Sequence, residues 1–107
     1  MPMITIEFDD AKVSHDEIQT LSDVIQQIVS EVTGIEDVFV YANSAQIKVK
    51  VAPIEIFVQM TAAKIESVDR LTNTIKDRLS QWKKGVKFDH PINLTLMPMQ
   101  WKVEIGI

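Results

Sequence analysis

The chain has 107 residues, of which 46% are hydrophobic and 24% charged, with a formal net charge of −4. This size fits one domain spanning residues 1–107, and the composition is that of an ordinary globular protein. An acidic chain disfavours a nucleic-acid partner, and with no cysteine it has no disulfide or thiolate chemistry. The N-terminus lacks the plan of a signal peptide and no apolar run approaches membrane-spanning length. We therefore expect a cytoplasmic protein that binds neither nucleic acid nor membrane.

The first predicted element is a strand over residues 1–8, where β-branched and aromatic residues dominate. Pro2 is compatible with this position, because no ladder donor is required at the start of a strand. Its chemistry depends on Met1. If Met1 is removed, the nitrogen of Pro2 is a secondary amine and a candidate base; if Met1 stays, that nitrogen is a tertiary amide and cannot act as one. Residues 9–13 form a short polar connection.

The next element is a helix that begins after Ser14, where Ser14 and Glu17 form a capping box. Gly34 is expected to end this helix in the left-handed conformation. Apolar residues recur between these bounds at helical spacing and predict one buried stripe. They are Ile18, Leu21, Ile25, Ile28, Val29 and Val32.

Two strands follow the first helix. Residues 37–42 predict a largely buried strand, and residues 43–45 turn the chain. Residues 46–51 alternate apolar side chains with Lys48 and Lys50, which predicts a half-exposed edge strand whose lysines deter further pairing.

The second half of the chain repeats this plan. Residues 54–60 predict a strand, residues 61–66 a connection, and Ser67 caps a helix that ends at Gly85. Its inner face carries Val68, Leu71, Ile75, Leu79 and Trp82. Residues 92–97 predict a strand stopped by Pro98, and a short C-terminal strand has alternating Trp101, Val103 and Ile105.

The two halves, about residues 1–45 and 53–99, match as strand–helix–strand patterns, with Pro2, Ser14 and Gly34 answering to Pro53, Ser67 and Gly85. We therefore predict an α+β fold in which tandem βαβ units form a four-stranded mixed sheet, with both helices on one face and short extra strands. The other face would carry a mixed set of side chains. Such a face suggests burial in an oligomer.

This plan, together with the opening Met1-Pro2-Met3-Ile4-Thr5-Ile6, resembles the tautomerase superfamily, which includes oxalocrotonate-type tautomerases and macrophage migration inhibitory factor. The resemblance implies a homotrimer with active sites at subunit interfaces, around an N-terminal proline. In that family the proline moves a proton between carbon and oxygen of a small keto or enol acid, while cationic side chains hold the carboxylate. No cofactor is implied.

Carried over to this sequence, the resemblance implies that Pro2 is the catalytic base. Lys12 falls near the place of one family arginine and Lys64 lies in a loop that passes beside the proline. A second family arginine falls on Phe39, which cannot replace it. Aromatic and amide positions of the family fall near Asn93 and Thr95, and Trp101 is a further apolar neighbour. The expected substrate-binding residues are Lys12, Lys64, Phe39, Asn93 and Trp101.

Other groupings carry weaker signals. His15 and His90 have no ligand-like spacing, and the acidic residues 7, 9 and 10 fit a polar loop better than a metal site, so we expect no metal. The basic and aromatic residues of 82–88 fit a solvated helix end better than a nucleic-acid surface. The alternative to a tautomerase is a noncatalytic ferredoxin-like module that binds a ligand or mediates assembly. In that fold a third strand separates the first two, so strand order distinguishes the alternatives.

Overall fold

The structure is a computed structural model that describes residues 2–107; Met1, which belongs to the first predicted strand, lies outside these residues. The elements are β1 (Met3–Phe8), α1 (His15–Thr33), β2 (Phe39–Asn43), β3 (Ile54–Thr61), a 3₁₀ turn (Ala62–Lys64), α2 (Val68–Val86) and β4 (Asn93–Met99). The predicted α+β class is confirmed. Neither α1 nor α2 is long and apolar enough to cross a membrane.

The four strands form one mixed sheet in the order β2-β1-β3-β4. β1 pairs with β2 in parallel and β3 with β4 in parallel, while β1 and β3 are antiparallel. Each parallel pair is joined by one helix, which gives the two predicted βαβ units. Because β1 and β2 are direct neighbours, the ferredoxin-like strand order is wrong for this chain.

Both helices begin at the predicted caps. The hydroxyl of Ser14 accepts from the N–H of Glu17 at 3.1 Å, and the Glu17 carboxylate accepts from the N–H of Ser14 at 3.0 Å. Gly34 ends α1 with a φ of 73°, in the left-handed region where a Cβ would be costly. The hydroxyl of Ser67 accepts from the N–H of Arg70 at 3.2 Å and caps α2.

The core lies between the helices and one face of the sheet. Side chains alternate along β1 and β3 between buried and half-buried positions. Across strands, helices and connections, the largest fully buried side chains are Pro2, Ile4, Ile6, Val13, Leu21, Ile25, Val29, Ile54, Ile56, Val58 and Ile75. The predicted inner stripe of α1 therefore faces the sheet. In α2, Ile75 and Leu79 are buried and Leu71 and Trp82 partly buried, but Val68 is 41% exposed, so its predicted place on the inner face is wrong.

Two predicted strands are absent from residues 2–107. Neither 46–51 nor 101–105 pairs with another strand, and Ile47, Val49 and Ile105 are 88%, 99% and 82% exposed. An alternating pattern marks a segment that can pair, but in the part of the chain from Pro2 to Ile107 no strand edge pairs with either segment. Lys48 instead forms ion pairs with Asp9 and Asp10, which tie the 46–51 segment to the end of β1.

Two predicted boundaries are also wrong. α2 continues through Gly85 and ends at Lys87, which takes the left-handed conformation with a φ of 57°. This later turn lets the N–H of Phe88 reach the carbonyl of Lys83 at 3.0 Å and places the Phe88 ring 5.2 Å from that of Trp82. Pro98 lies within β4 rather than after it, since β4 is an edge strand where a missing donor is tolerated.

Candidate functional site

Pro2 lies at one end of the sheet and is fully buried. Its carbonyl accepts from the N–H of Phe39 at 3.3 Å, which continues the pairing of β1 with β2. Met3 is opposite Gln59 in the antiparallel register, so Pro2 falls beside Met60. Both side chains alternate to the helix-covered face. Pro2 therefore lies where α1 ends and α2 begins.

A groove of about 560 Å³ opens at this end of the molecule, between the last turn of α1 and the first turns of α2. Its lining combines apolar side chains with charged and hydroxyl groups. The lining residues are Val32, Thr33, Met60, Lys64, Ile65, Glu66, Ser67, Arg70, Leu71, Thr74 and Arg78. Met60, which lies next to Pro2 in the sheet, lines this groove, whereas Pro2 itself is buried beneath the surface and is not part of the lining.

Of the cationic side chains that line the groove, one has an ion-pair partner and two have none in the described residues. Arg78 forms an ion pair with Glu31. The Arg78 hydrogen bond, with a further one from Gln27, lowers the pKa of Glu31. Lys64 and Arg70 form no ion pair within residues 2–107. Two cationic side chains at the groove are therefore available to an anion.

The structure places three of the five predicted substrate-binding residues at the Pro2 end. Lys64 lines the groove. The indole N–H of Trp101 donates to the hydroxyl of Thr61, the last residue of β3, at 2.7 Å. Phe39 pairs with Met3 but lies on the sheet face that the helices leave uncovered, where it is 44% exposed. Lys64 and Phe39 thus approach the Pro2 end from opposite faces of the sheet.

The other two predicted residues lie at the opposite end of the sheet. Lys12 follows the C-terminal end of β1, and Asn93 begins β4, where its side-chain amide donates to Glu55 at 2.9 Å. A strand of this length spans about 20 Å at ~3.3 Å per residue. Within one chain, Lys12 and Asn93 are therefore one strand length away from Pro2.

Sequence reasoning missed Arg70, which lines the groove together with Lys64. The signal was present in the sequence. Arg70 comes three residues after the N-cap Ser67, in the first turn of α2. A cation there is opposed by the positive end of the helix dipole, so local helix stability does not favour it.

Metal-binding geometry is not found near the groove. In the part of the chain from Pro2 to Ile107, no three histidine or acidic side chains are grouped as ligands for an ion. The cations and apolar side chains of the groove suit a small organic anion instead.

Sequence comparisons give no relative, since no protein-family model and no curated protein matches this chain. Solved structures do match. A 5-carboxymethyl-2-hydroxymuconate delta-isomerase superimposes with a TM-score of 0.68 and 13% identity, over 99% of this chain and 89% of that one. A protein inactivated by 2-oxo-3-pentynoate gives 0.64 and 12%, over 99% and 93%. Macrophage migration inhibitory factor from Toxoplasma gondii gives 0.57 and 14%, over 97% and 97%.

These matches extend over most of each chain, from 89% to 99%. The molecule is thus an α+β protein built from two βαβ units around a mixed sheet. This is the fold of the tautomerase superfamily.

Proposed function

We propose that this protein is a tautomerase-like isomerase that acts on a small keto or enol carboxylic acid, with Pro2 as general base after removal of Met1. The observation that carries the proposal is the position of Pro2, which is buried at the start of β1 next to Met60, a residue that lines a groove with two cations that form no ion pair in the described residues. The names of the structural neighbours support the substrate class: one is an isomerase of a carboxylated muconate and another is inactivated by a 2-keto acid.

The proposed reaction uses a free amine at Pro2. A neutral secondary amine can take a proton from the carbon next to a keto group, which breaks the C–H bond and leaves an enolate. The protonated amine then returns that proton to the enolate oxygen, so that the net change is the isomerisation of ketone to enol. Burial among apolar side chains favours a neutral over a charged amine in general, which suits a base at neutral pH.

Lys64 is the proposed anion holder of the same chain, since it lines the groove together with Met60, the sheet neighbour of Pro2. Trp101 would contribute an apolar contact at the same end of the sheet. Phe39 lies at that end on the face opposite Lys64, so it would contribute only from that face. Lys12 and Asn93 would contribute only from a neighbouring subunit, because in their own chain they lie at the other end.

We further propose that the protein is a homotrimer. The sheet face opposite the helices includes Phe39 and Tyr41, which are 44% and 53% exposed. Ile47, Val49 and Ile105 are also exposed, in segments with the alternation of strands but no partner. A neighbouring copy would cover both features.

The test is enolisation of phenylpyruvate, followed by ultraviolet absorbance of the enol. Protein that begins at Pro2, as confirmed by intact mass, is expected to accelerate the reaction, whereas protein that retains Met1 is expected to match buffer. The reason is that a proline nitrogen inside a peptide bond has its lone pair in resonance and cannot accept a proton. Pro2→Ala keeps an amine but not the constrained secondary one, and should be impaired.

Two outcomes would contradict this mechanism. Equal activity with and without Met1 would remove Pro2 from the reaction. No activity in either form, in protein shown to be folded by circular dichroism, would favour a noncatalytic binding module with the same fold.

A further inference from the structure

Arg70 has a fixed backbone and a side chain without a carboxylate partner. Its N–H donates to the hydroxyl of Ser67 at 3.2 Å, and its carbonyl accepts from the hydroxyl of Thr74 at 2.9 Å. The guanidinium forms no ion pair within residues 2–107. A cationic side chain on a fixed helical turn at a groove is suited to bind an anion.

Lys64 faces the same groove from the preceding 3₁₀ turn, which is closed by a hydrogen bond from the N–H of Ile65 to the carbonyl of Ala62 at 3.1 Å. Glu66 also lines the groove, and Arg78 is neutralised by Glu31. Two cations against one unpaired carboxylate leave the groove with one net positive charge, in a chain whose formal net charge is −4. This balance favours a ligand with a single negative charge.

The remaining lining residues of the groove indicate the chemical character of the ligand beyond its charged group. Val32, Met60, Ile65 and Leu71 give the lining an apolar part, and Met60 is only 2% exposed. An apolar lining with a few convergent charged groups binds a small molecule with an apolar body and one polar end. The guanidinium of Arg70 presents a planar fork that matches a carboxylate, while Lys64 acts as a point charge.

We propose that Arg70 and Lys64 form a carboxylate-binding pair, and that the groove selects small monocarboxylates with an apolar body. This inference rests on the proposed function and deepens it, because it names a second anion-binding residue and the substrate class. It also assigns Glu66 a role in specificity: its carboxylate would disfavour ligands with a second negative charge near that end.

The experiment separates binding from catalysis by using a carboxylate that has no keto group and therefore cannot undergo the proposed enolisation. 4-Phenylbutyrate and its neutral amide, 4-phenylbutanamide, are titrated into protein that begins at Pro2, with two-dimensional NMR of backbone amides as the readout. The carboxylate is expected to shift the amides of residues 64–71 and to bind more tightly than the amide. Arg70→Ala and Lys64→Ala should each raise the Kd of the carboxylate about two- to fivefold, the range for one exposed charge pair.

Matched variants separate the effect of charge at Arg70 and Glu66 from the effect of the planar guanidinium group of Arg70. Arg70→Lys keeps the charge but loses the planar fork, so its Kd should lie between those of the wild type and Arg70→Ala. Glu66→Gln should tighten the carboxylate by about two- to fivefold. None of these changes should alter binding of the amide. Lys84→Ala is the control, because Lys84 lies in the last turn of α2, away from the groove.

Equal binding of acid and amide, or shifts confined to residues outside 64–71, would overturn the proposal. So would an Arg70→Ala variant that binds the carboxylate as tightly as Lys84→Ala does. If phenylpyruvate enolises but the carboxylate does not bind through Arg70, the proposed function stands and this inference fails. If the carboxylate binds as expected but no enolisation occurs, the groove is established and the chemistry of Pro2 fails instead.

Discussion

Ile25 provides a test of how the helices pack, because it lies in the middle of α1 and is 0% exposed. Ile25→Ala removes three carbon atoms from the core. At ~0.8 kcal/mol for each buried carbon, the lost transfer free energy is about 2.4 kcal/mol. The cavity that remains adds to this value, which gives an expected loss of about 2–5 kcal/mol in the free energy of unfolding.

The measurement is urea denaturation followed by circular dichroism, at one fixed protein concentration, because assembly would otherwise contribute to apparent stability. Leu71→Ala is the matched comparison, since Leu71 belongs to the equivalent stripe of α2 but is only partly buried. It should cost clearly less than Ile25→Ala. A loss below about 0.5 kcal/mol at Ile25, the size of an ordinary surface substitution, would refute the packing described here.

Two further predictions concern acid stability and assembly. A hydrogen bond from the backbone N–H of Ser14 lowers the pKa of Glu17 below its ordinary value of 4.5, and a smaller effect comes from a hydrogen bond with His90. The charged Glu17 carboxylate therefore stabilises the fold above that pH. This stabilisation is lost as the pH falls through the pKa of Glu17 in the folded protein. Glu17→Gln, which retains a side chain suited to the capping box, should therefore be less stable than the wild type at pH 7, by an amount that shrinks at pH 3. A urea midpoint difference that is the same at both pH values would contradict this. For assembly, light scattering at micromolar concentration should show a trimer, and Val103→Asp with Ile105→Asp should yield monomers of unchanged helical content; a wild-type monomer would rule out the trimer.

The sequence predicted those parts of the fold that depend on local chemistry and on the packing of helices on the sheet. The predicted burial of the strand at 37–42 is wrong, because β2 is an edge strand whose Phe39 and Tyr41 lie on the face that the helices leave uncovered. The capping box at Ser14, the left-handed Gly34 and the cap at Ser67 each rest on residues a few positions apart, so the sequence alone specifies them. The buried stripes follow from helical spacing for the same reason.

The misplaced elements have a different cause. Alternation over 46–51 and 101–105 shows that these segments can form strands, but a strand also needs an edge to pair with, and sequence pattern does not report whether its own chain supplies one. The end of α2 was placed too early because Gly85 permits a left-handed turn without requiring it. The packing of Phe88 on Trp82 goes with the later turn at Lys87.

The candidate site was predicted less completely than the fold. Pro2 and Lys64 meet at one end because β1 and β3 are antiparallel, which a sequence does not state directly. Arg70 was missed because the sequence marks it only as an unfavourable cation in the first turn of a helix, whereas its position at the groove is visible only in the structure. Lys12 and Asn93 were named from a resemblance, and whether they join Pro2 depends on a neighbouring subunit.

The uncovered sheet face indicates which end of the molecule a neighbour would cover. Its side chains form three rows across the four strands. The rows are Phe39–Met3–Gln59–Met97, then Tyr41–Thr5–Phe57–Thr95, then Asn43–Glu7–Glu55–Asn93. The rows become more polar away from Pro2, and the last places two carboxylates directly opposite each other, where like charges are destabilising unless water screens them. The half of the face nearest Pro2 can therefore be buried at low cost while the Glu7–Glu55 end stays in water. A trimer that follows this gradient would build its interface around the Pro2 end of this face and leave the Asn93 end in water.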